Sequence, residues 1–131
     1  MNDRTFRIEL EVRDYECDME GIVNNAVYLN YLEHARHACL KHKGFDFAKL
    51  TQQGIHLVLI RVAADYLYPL RSGDKFYVTA GLERISKLRF VFTQGIFRLE
   101  DDKPILKAKV IATSLNAEGR PKYFEEIERL F

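Results

Sequence analysis

From Phe6 to Arg13 the chain alternates: Phe6, Ile8, Leu10 and Val12 are apolar, and Arg7, Glu9, Glu11 and Arg13 are charged. A period of two predicts a half-buried strand over Arg4–Arg13. The period then changes. Tyr28, Leu32, Ala35 and Cys39 recur at helical spacing, widened by Tyr31 and Ala38, while Asn30, Glu33, His34, His37 and Lys41 lie largely on other faces. This predicts one long helix over Asn25–Lys43, capped by Asn24 or Asn25 and stopped at Gly44. A short second helix is expected within Phe45–Gln53. Four strands follow: His56–Tyr68, Lys75–Ile85, Leu88–Leu99 and Ile105–Leu115. Phe76, Val78, Ala80 and Leu82 share one face of the second of these, and Leu106, Ala108, Val110 and Ala112 one face of the last. The connections read as turns at Pro69–Asp74, Glu100–Lys103 and Asn116–Arg120, and Pro121–Phe131 reads as a short C-terminal helix.

One strand, one long helix and four successive strands define an α+β chain with an antiparallel sheet. Short connections among the last strands favour hairpins. So small a sheet cannot engulf a long helix without leaving apolar surface, and a sheet wrapped around the helix and closed by dimerisation satisfies the pattern. Periodicity alone does not choose this over other α+β arrangements.

Composition narrows the picture. The 131 residues predict one domain, residues 1–131, with 47% hydrophobic residues for a core and 30% charged. A net charge of +1 gives no electrostatic case for nucleic acid. No apolar run reaches about 18 residues, so no membrane span is expected, and the first residues lack a signal-peptide core. Cys17 and Cys39 form no metal-type pair. They are expected to be reduced thiols in a cytoplasmic protein.

The chemistry concentrates in Tyr15–Arg36. Asp18 lies in a turn-like segment with Gly21, just before a helix N-terminus, where unpaired N–H groups and a positive dipole end collect. A carboxylate beside such a terminus suits attack on a carbonyl: the carboxylate attacks or activates water, and the N–H groups hold the oxyanion. Taken alone, Asp18 also fits a turn former or helix cap.

Asp18, Gly21, Val23, Tyr28, Glu33, Ala35 and Arg36 stand at the spacing of a known signature, and the stretch resembles the hotdog-fold acyl-CoA thioesterases, specifically the 4-hydroxybenzoyl-CoA thioesterase-like family. Asn24-Asn25 before Ala26 and Tyr28 is similar to a subgroup acting on fatty acyl thioesters. Many of that subgroup have His where this chain has Ile22, and other members have His or Tyr where it has Asn25. The resemblance implies a hotdog fold, a five-stranded antiparallel sheet around one long central helix. It implies hydrolysis of an acyl thioester, from fatty acyl-CoA or an acyl carrier protein, within lipid metabolism. Asp18 would be nucleophile or general base, and the Asn25 backbone N–H the oxyanion donor. Gly21, Asn24 and Tyr28 would border the substrate, and Lys87 and Arg89 would meet the phosphates of coenzyme A. No metal or redox cofactor is implied. The acyl slot would lie between subunits, lined from the helix and the Phe-rich strands around Phe90, Phe92 and Phe97, in a dimer or tetramer.

Simpler readings stand beside these. Tyr28 fits core packing, and Asn24 a cap. Glu33 and Arg36 fit an i,i+3 pair, with Glu33 the rival carboxylate. His34, His37 and His42 fit a solvated helix face, and no G-x-S-x-G elbow, P-loop or dinucleotide motif is present. A dehydratase or hydratase on the same fold needs a His near Asp18, and none is near in sequence. A non-catalytic acyl-thioester-binding protein remains the reading outside enzymes.

Overall fold

In a computed structural model, residues 6–131 are described. Five strands form one antiparallel sheet: β1 (Phe6–Glu11), β2 (His56–Tyr66), β3 (Lys75–Arg84), β4 (Arg89–Arg98) and β5 (Pro104–Leu115), in the order β1-β3-β4-β5-β2. The long helix α1 (Asn25–His42) packs on one face, followed by the short α2 (Phe47–Gln52). This is the hotdog arrangement.

The alternating residues sort as their period demands. Phe76, Val78 and Ala80 of β3, Phe90, Phe92 and Ile96 of β4, and Leu106, Ala108, Val110 and Ala112 of β5 are buried on the inner face. Tyr28, Tyr31, Leu32 and Ala35 meet the part of this face nearest the first turns of α1. Leu40, Phe45, Leu50 and Ile55 meet the part built on Phe90 and Phe92. Residues 4 and 5 of the expected first strand lie outside the described residues.

Two expectations need correction. Pro121–Phe131 is not an α-helix: Pro121 bridges back to Leu115, and only Glu125–Leu130 winds, as a 3₁₀ helix. The three-residue period brings Ile127 and Leu130 onto one face, and both are buried. Nor do Glu33 and Arg36 pair. Arg36 points inward and its Nη1 donates to Gln94 Oε1 on β4 (3.1 Å). Gln94 in turn donates to the carbonyls of Leu32 (3.1 Å) and Thr79 (3.4 Å). Gln94 is the one polar side chain between Phe92 and Ile96 on the inner face. It answers a buried guanidinium, whose charged form desolvation disfavours.

β2 differs from the other strands. It is a sheet edge, and Leu59, Ile60, Val62 and Tyr66 are each more than 40% exposed. A register shift at Ile60 lets Leu59 pair with Ala112 and Arg61 with Ile111, so that Val62 returns to the inner face opposite Val110.

Candidate active site

The loop between β1 and α1 is a small folded unit. Cys17 bridges Val23, the Asp18 N–H donates to the Ile22 carbonyl (2.9 Å), and the Gly21 N–H donates to the Asp18 carbonyl (3.0 Å). Gly21 closes this turn at φ +79°, a conformation that disfavours a side chain. Asp18 is therefore carried at the tip of a tight turn, exposed, with Oδ1 accepting from the Glu20 N–H (2.8 Å).

The loop runs straight into α1. Asn24 is the N-cap, its Oδ1 accepting from the Ala26 N–H (2.9 Å). Val27 N–H donates to the Asn24 carbonyl (2.9 Å). Asn25, the first helical residue, keeps its own N–H without a hydrogen-bond partner among the described residues. A free donor at the positive end of an 18-residue helix is suited to an oxyanion.

Three tyrosine hydroxyls hold this helix end. The Leu70 N–H donates to Tyr28 Oη (2.9 Å), fixing the β2–β3 connection. Tyr66 Oη donates to the Asn25 carbonyl (3.1 Å), fixing β2. Tyr31 Oη donates to Glu16 Oε1 (2.8 Å), fixing the Asp18 loop. Burial, and then the bond to Glu16, push the Tyr31 hydroxyl up, so it remains a donor at neutral pH. The rings of Tyr28 and Tyr66 meet edge to face at 5.5 Å. Sequence reasoning placed Tyr28 and Tyr31 on the helix stripe but missed their hydroxyl partners. It missed Glu16 and Tyr66 altogether.

Asp18, Gly21, Asn24 and Asn25 thus lie in one hydrogen-bonded loop and the helix start it leads into, with Tyr28 one turn further on. Tyr28 is 4% exposed, so its ring is core and only its surroundings can border a ligand. Lys87 and Arg89 do not join them within one chain. The Asp18 loop is tied to the Lys75 end of β3 through Val12 N–H to the Asp74 carbonyl (2.9 Å). The β3–β4 turn lies a full strand away, about 30 Å at the usual rise per residue. There Lys87 sits over the Tyr123 ring (5.4 Å). Phe90 and Phe92 belong to the core at that far end, and Phe97 stacks on Tyr77 on the outer face. His37 packs on Phe47, and no group of three metal-ligating side chains occurs among the described residues.

A depression of about 950 Å³ includes outer-face residues Thr79, Gly81, Thr93, Gly95, Lys107 and Lys109, and neither Asp18 nor Asn25 borders it. The carboxylate and the free N–H stand on an open surface beside the bare β2 edge.

Known proteins agree with this architecture. Residues 12–128 match the model of the thioesterase-like superfamily. The chain is 45% identical over 114 residues to the acyl-acyl carrier protein thioesterase ATL3 of Arabidopsis thaliana, covering 87% of this chain and 60% of that one. It thus spans about 60% of that relative's length. It is 28% identical over 101 residues to the acyl-CoA thioester hydrolase YbgC of Escherichia coli, covering 77% of this chain and 75% of that one. The crystal structure of a 1,4-dihydroxy-2-naphthoyl-CoA thioesterase from Synechocystis superposes with a TM-score of 0.87 at 20% identity, over 93% of this chain and 90% of that one, a likeness of fold. The fold is that of a hotdog protein. The chain belongs to the thioesterase-like superfamily. No helix among the described residues is long and apolar enough to cross a membrane.

Proposed function

We propose that the chain hydrolyses acyl thioesters, with Asp18 as nucleophile or general base and the Asn25 N–H as oxyanion donor. The observation that carries this is the exposed carboxylate on a locked turn beside a helix N-terminus with a free N–H. As general base, Asp18 takes a proton from water as the water oxygen bonds to the acyl carbon. The tetrahedral oxyanion rests on the helix end, the C–S bond breaks, and the proton passes to the departing thiolate. As nucleophile, Asp18 attacks the acyl carbon and the C–S bond breaks, expelling the thiolate and leaving an acyl-aspartyl anhydride; water then opens the anhydride, releasing the acid and regenerating the Asp18 carboxylate. Acid and thiol are the products on either route.

The thiol belongs to a pantetheine arm, on coenzyme A or on an acyl carrier protein. Greater identity to a relative named as an acyl-acyl carrier protein thioesterase favours the protein carrier. The acyl chain is aliphatic in this reading. The test is thiol release from a panel of short, long and aromatic acyl groups, each on coenzyme A and on acyl carrier protein. Turnover is expected for aliphatic chains, with the higher kcat/KM on the protein carrier. Tight binding of the whole panel without thiol release overturns hydrolysis and leaves a binding protein.

We also propose that two copies pair through β2, whose free edge and exposed Leu59, Ile60, Val62 and Tyr66 ask for cover. A two-fold axis through this edge reverses the strand direction. It brings the β3–β4 turn of the second copy to the sheet end that carries Asp18, and with it Lys87 and Arg89 as phosphate contacts. Val62→Lys places a charge in that seam, so sedimentation is expected to shift from dimer to monomer at micromolar concentration. A wild type that sediments as a monomer, or a variant that stays dimeric, contradicts this interface.

A further inference from the structure

Glu16 ties together more of the loop than any residue in it. Its Oε1 accepts from the Arg13 N–H (2.8 Å) at the loop entry and from Tyr31 Oη (2.8 Å) on the second turn of α1. Its carbonyl accepts from the Asn24 N–H (3.0 Å), the cap of the same helix. Its side chain is 11% exposed. Asp18 is two residues further on, at the turn tip. The side chain thus joins the entry of the loop to the helix body, and the main-chain carbonyl of the same residue holds the loop's exit.

We infer that Glu16, held by Tyr31, is the positioning residue that sets Asp18 against the N-terminus of α1. This rests on the thioester hydrolysis proposed above. Glu16 does not reach the substrate. It acts as a hydrogen-bond acceptor at one fixed place, and its charge is secondary, because a neutral carbonyl oxygen there can accept the same two bonds. The geometry required of a reacting group is tight enough that a shift of about 1 Å costs on the order of 100-fold in rate.

This distinguishes the role from a merely structural one. Glu16→Ala and Tyr31→Phe are expected to lower kcat by about 10- to 100-fold while KM changes by less than about threefold. Glu16→Gln, which keeps the acceptor and removes the charge, is expected to restore kcat to within a few fold of wild type. The double variant Glu16→Ala/Tyr31→Phe is expected to lose little more than Glu16→Ala alone, since that single already breaks the bond between the two residues. Tyr77→Phe is the control. It removes a tyrosine–carboxylate bond of the same length, to Asp102 (2.8 Å), on the outer face, and should leave kcat unchanged. Loss in Glu16→Gln as deep as in Glu16→Ala, fully additive losses, or a Tyr31→Phe loss no greater than that of Tyr77→Phe each overturns the inference. Amide hydrogen exchange over residues 14–26 reads the same variants without any substrate. Should the wild type release no thiol, the hydrolysis reading falls, and faster exchange at Asp18 and Asn24 in Tyr31→Phe, but not in Tyr77→Phe, still decides whether the pair positions the turn. Unchanged exchange overturns it.

Discussion

Asp18→Asn is expected to lower thiol release by about 1,000-fold, within the range for removing a positioned proton acceptor, with circular dichroism and melting temperature unchanged. The fold should not notice the change. Asp18 is exposed, and its one side-chain bond accepts from the Glu20 N–H, which an Asn Oδ1 accepts equally well. What Asn cannot do is take a proton from water or attack a thioester. Steady-state kcat and KM on the best substrate of the panel measure the effect. Glu33→Gln is the companion variant. Glu33 is exposed on α1 and carries no hydrogen bond or ion pair among the described residues, so its loss should leave kcat near wild type. Activity of Asp18→Asn within threefold of wild type, or a collapse in Glu33→Gln, would remove Asp18 from the mechanism.

Gln94→Leu is expected to destabilise the protein by about 3 kcal/mol, the scale of stripping a buried charge of its hydrogen-bond partner. For a chain this size that lowers the melting temperature by roughly 10 °C. Three bonds disappear together: the acceptor for Arg36 and the donors to the Leu32 and Thr79 carbonyls. Arg36, 7% exposed, then faces only the Phe92 ring at 5.9 Å. Adding Arg36→Met removes the stranded guanidinium, so the double variant should melt above the single one. A single variant that melts with wild type would show that Gln94 carries little of the core. A double variant that melts below it would show that the guanidinium holds something besides Gln94.

These expectations divide along a line that the sequence itself draws. Where burial on one side decides, alternation is enough. Phe76, Val78 and Ala80 point inward because a period of two leaves them no other place, and the long helix begins at Asn25 because Asn24 offers a cap. The turn at Asp18–Gly21 and the helix start at Asn25 were legible because a turn, a glycine and a cap follow one another within a few residues; the chemical roles given to these residues are what the family resemblance implies. Relations across the fold were not. Gln94 breaks an apolar face, a visible signal, but only the register with Leu32 and Arg36 gives it meaning. Glu16 reads as one more acid among Asp14, Asp18 and Glu20, and its partner Tyr31 is 15 residues on. Lys87 sits in the β3–β4 turn and Arg89 opens β4, yet strand length carries both to the far end of the sheet. The C-terminal segment failed for a local reason: Ile127 and Leu130 satisfy a three-residue period as readily as a helical one.

The two edges of the sheet are unlike, and that limits how the protein can assemble. β1, at one edge, has six residues among those described and interleaves Arg7, Glu9 and Glu11 with its apolar side chains. Short, charged edges resist further strand addition. β2, at the other, is eleven residues long and rich in exposed aliphatic side chains. Joining β2 to β2 therefore consumes the adhesive edge of both copies and leaves only the two β1 margins outside. In the pair proposed above, sheet growth would stop at ten strands, and the edge that could otherwise add strands would lie inside a closed pair.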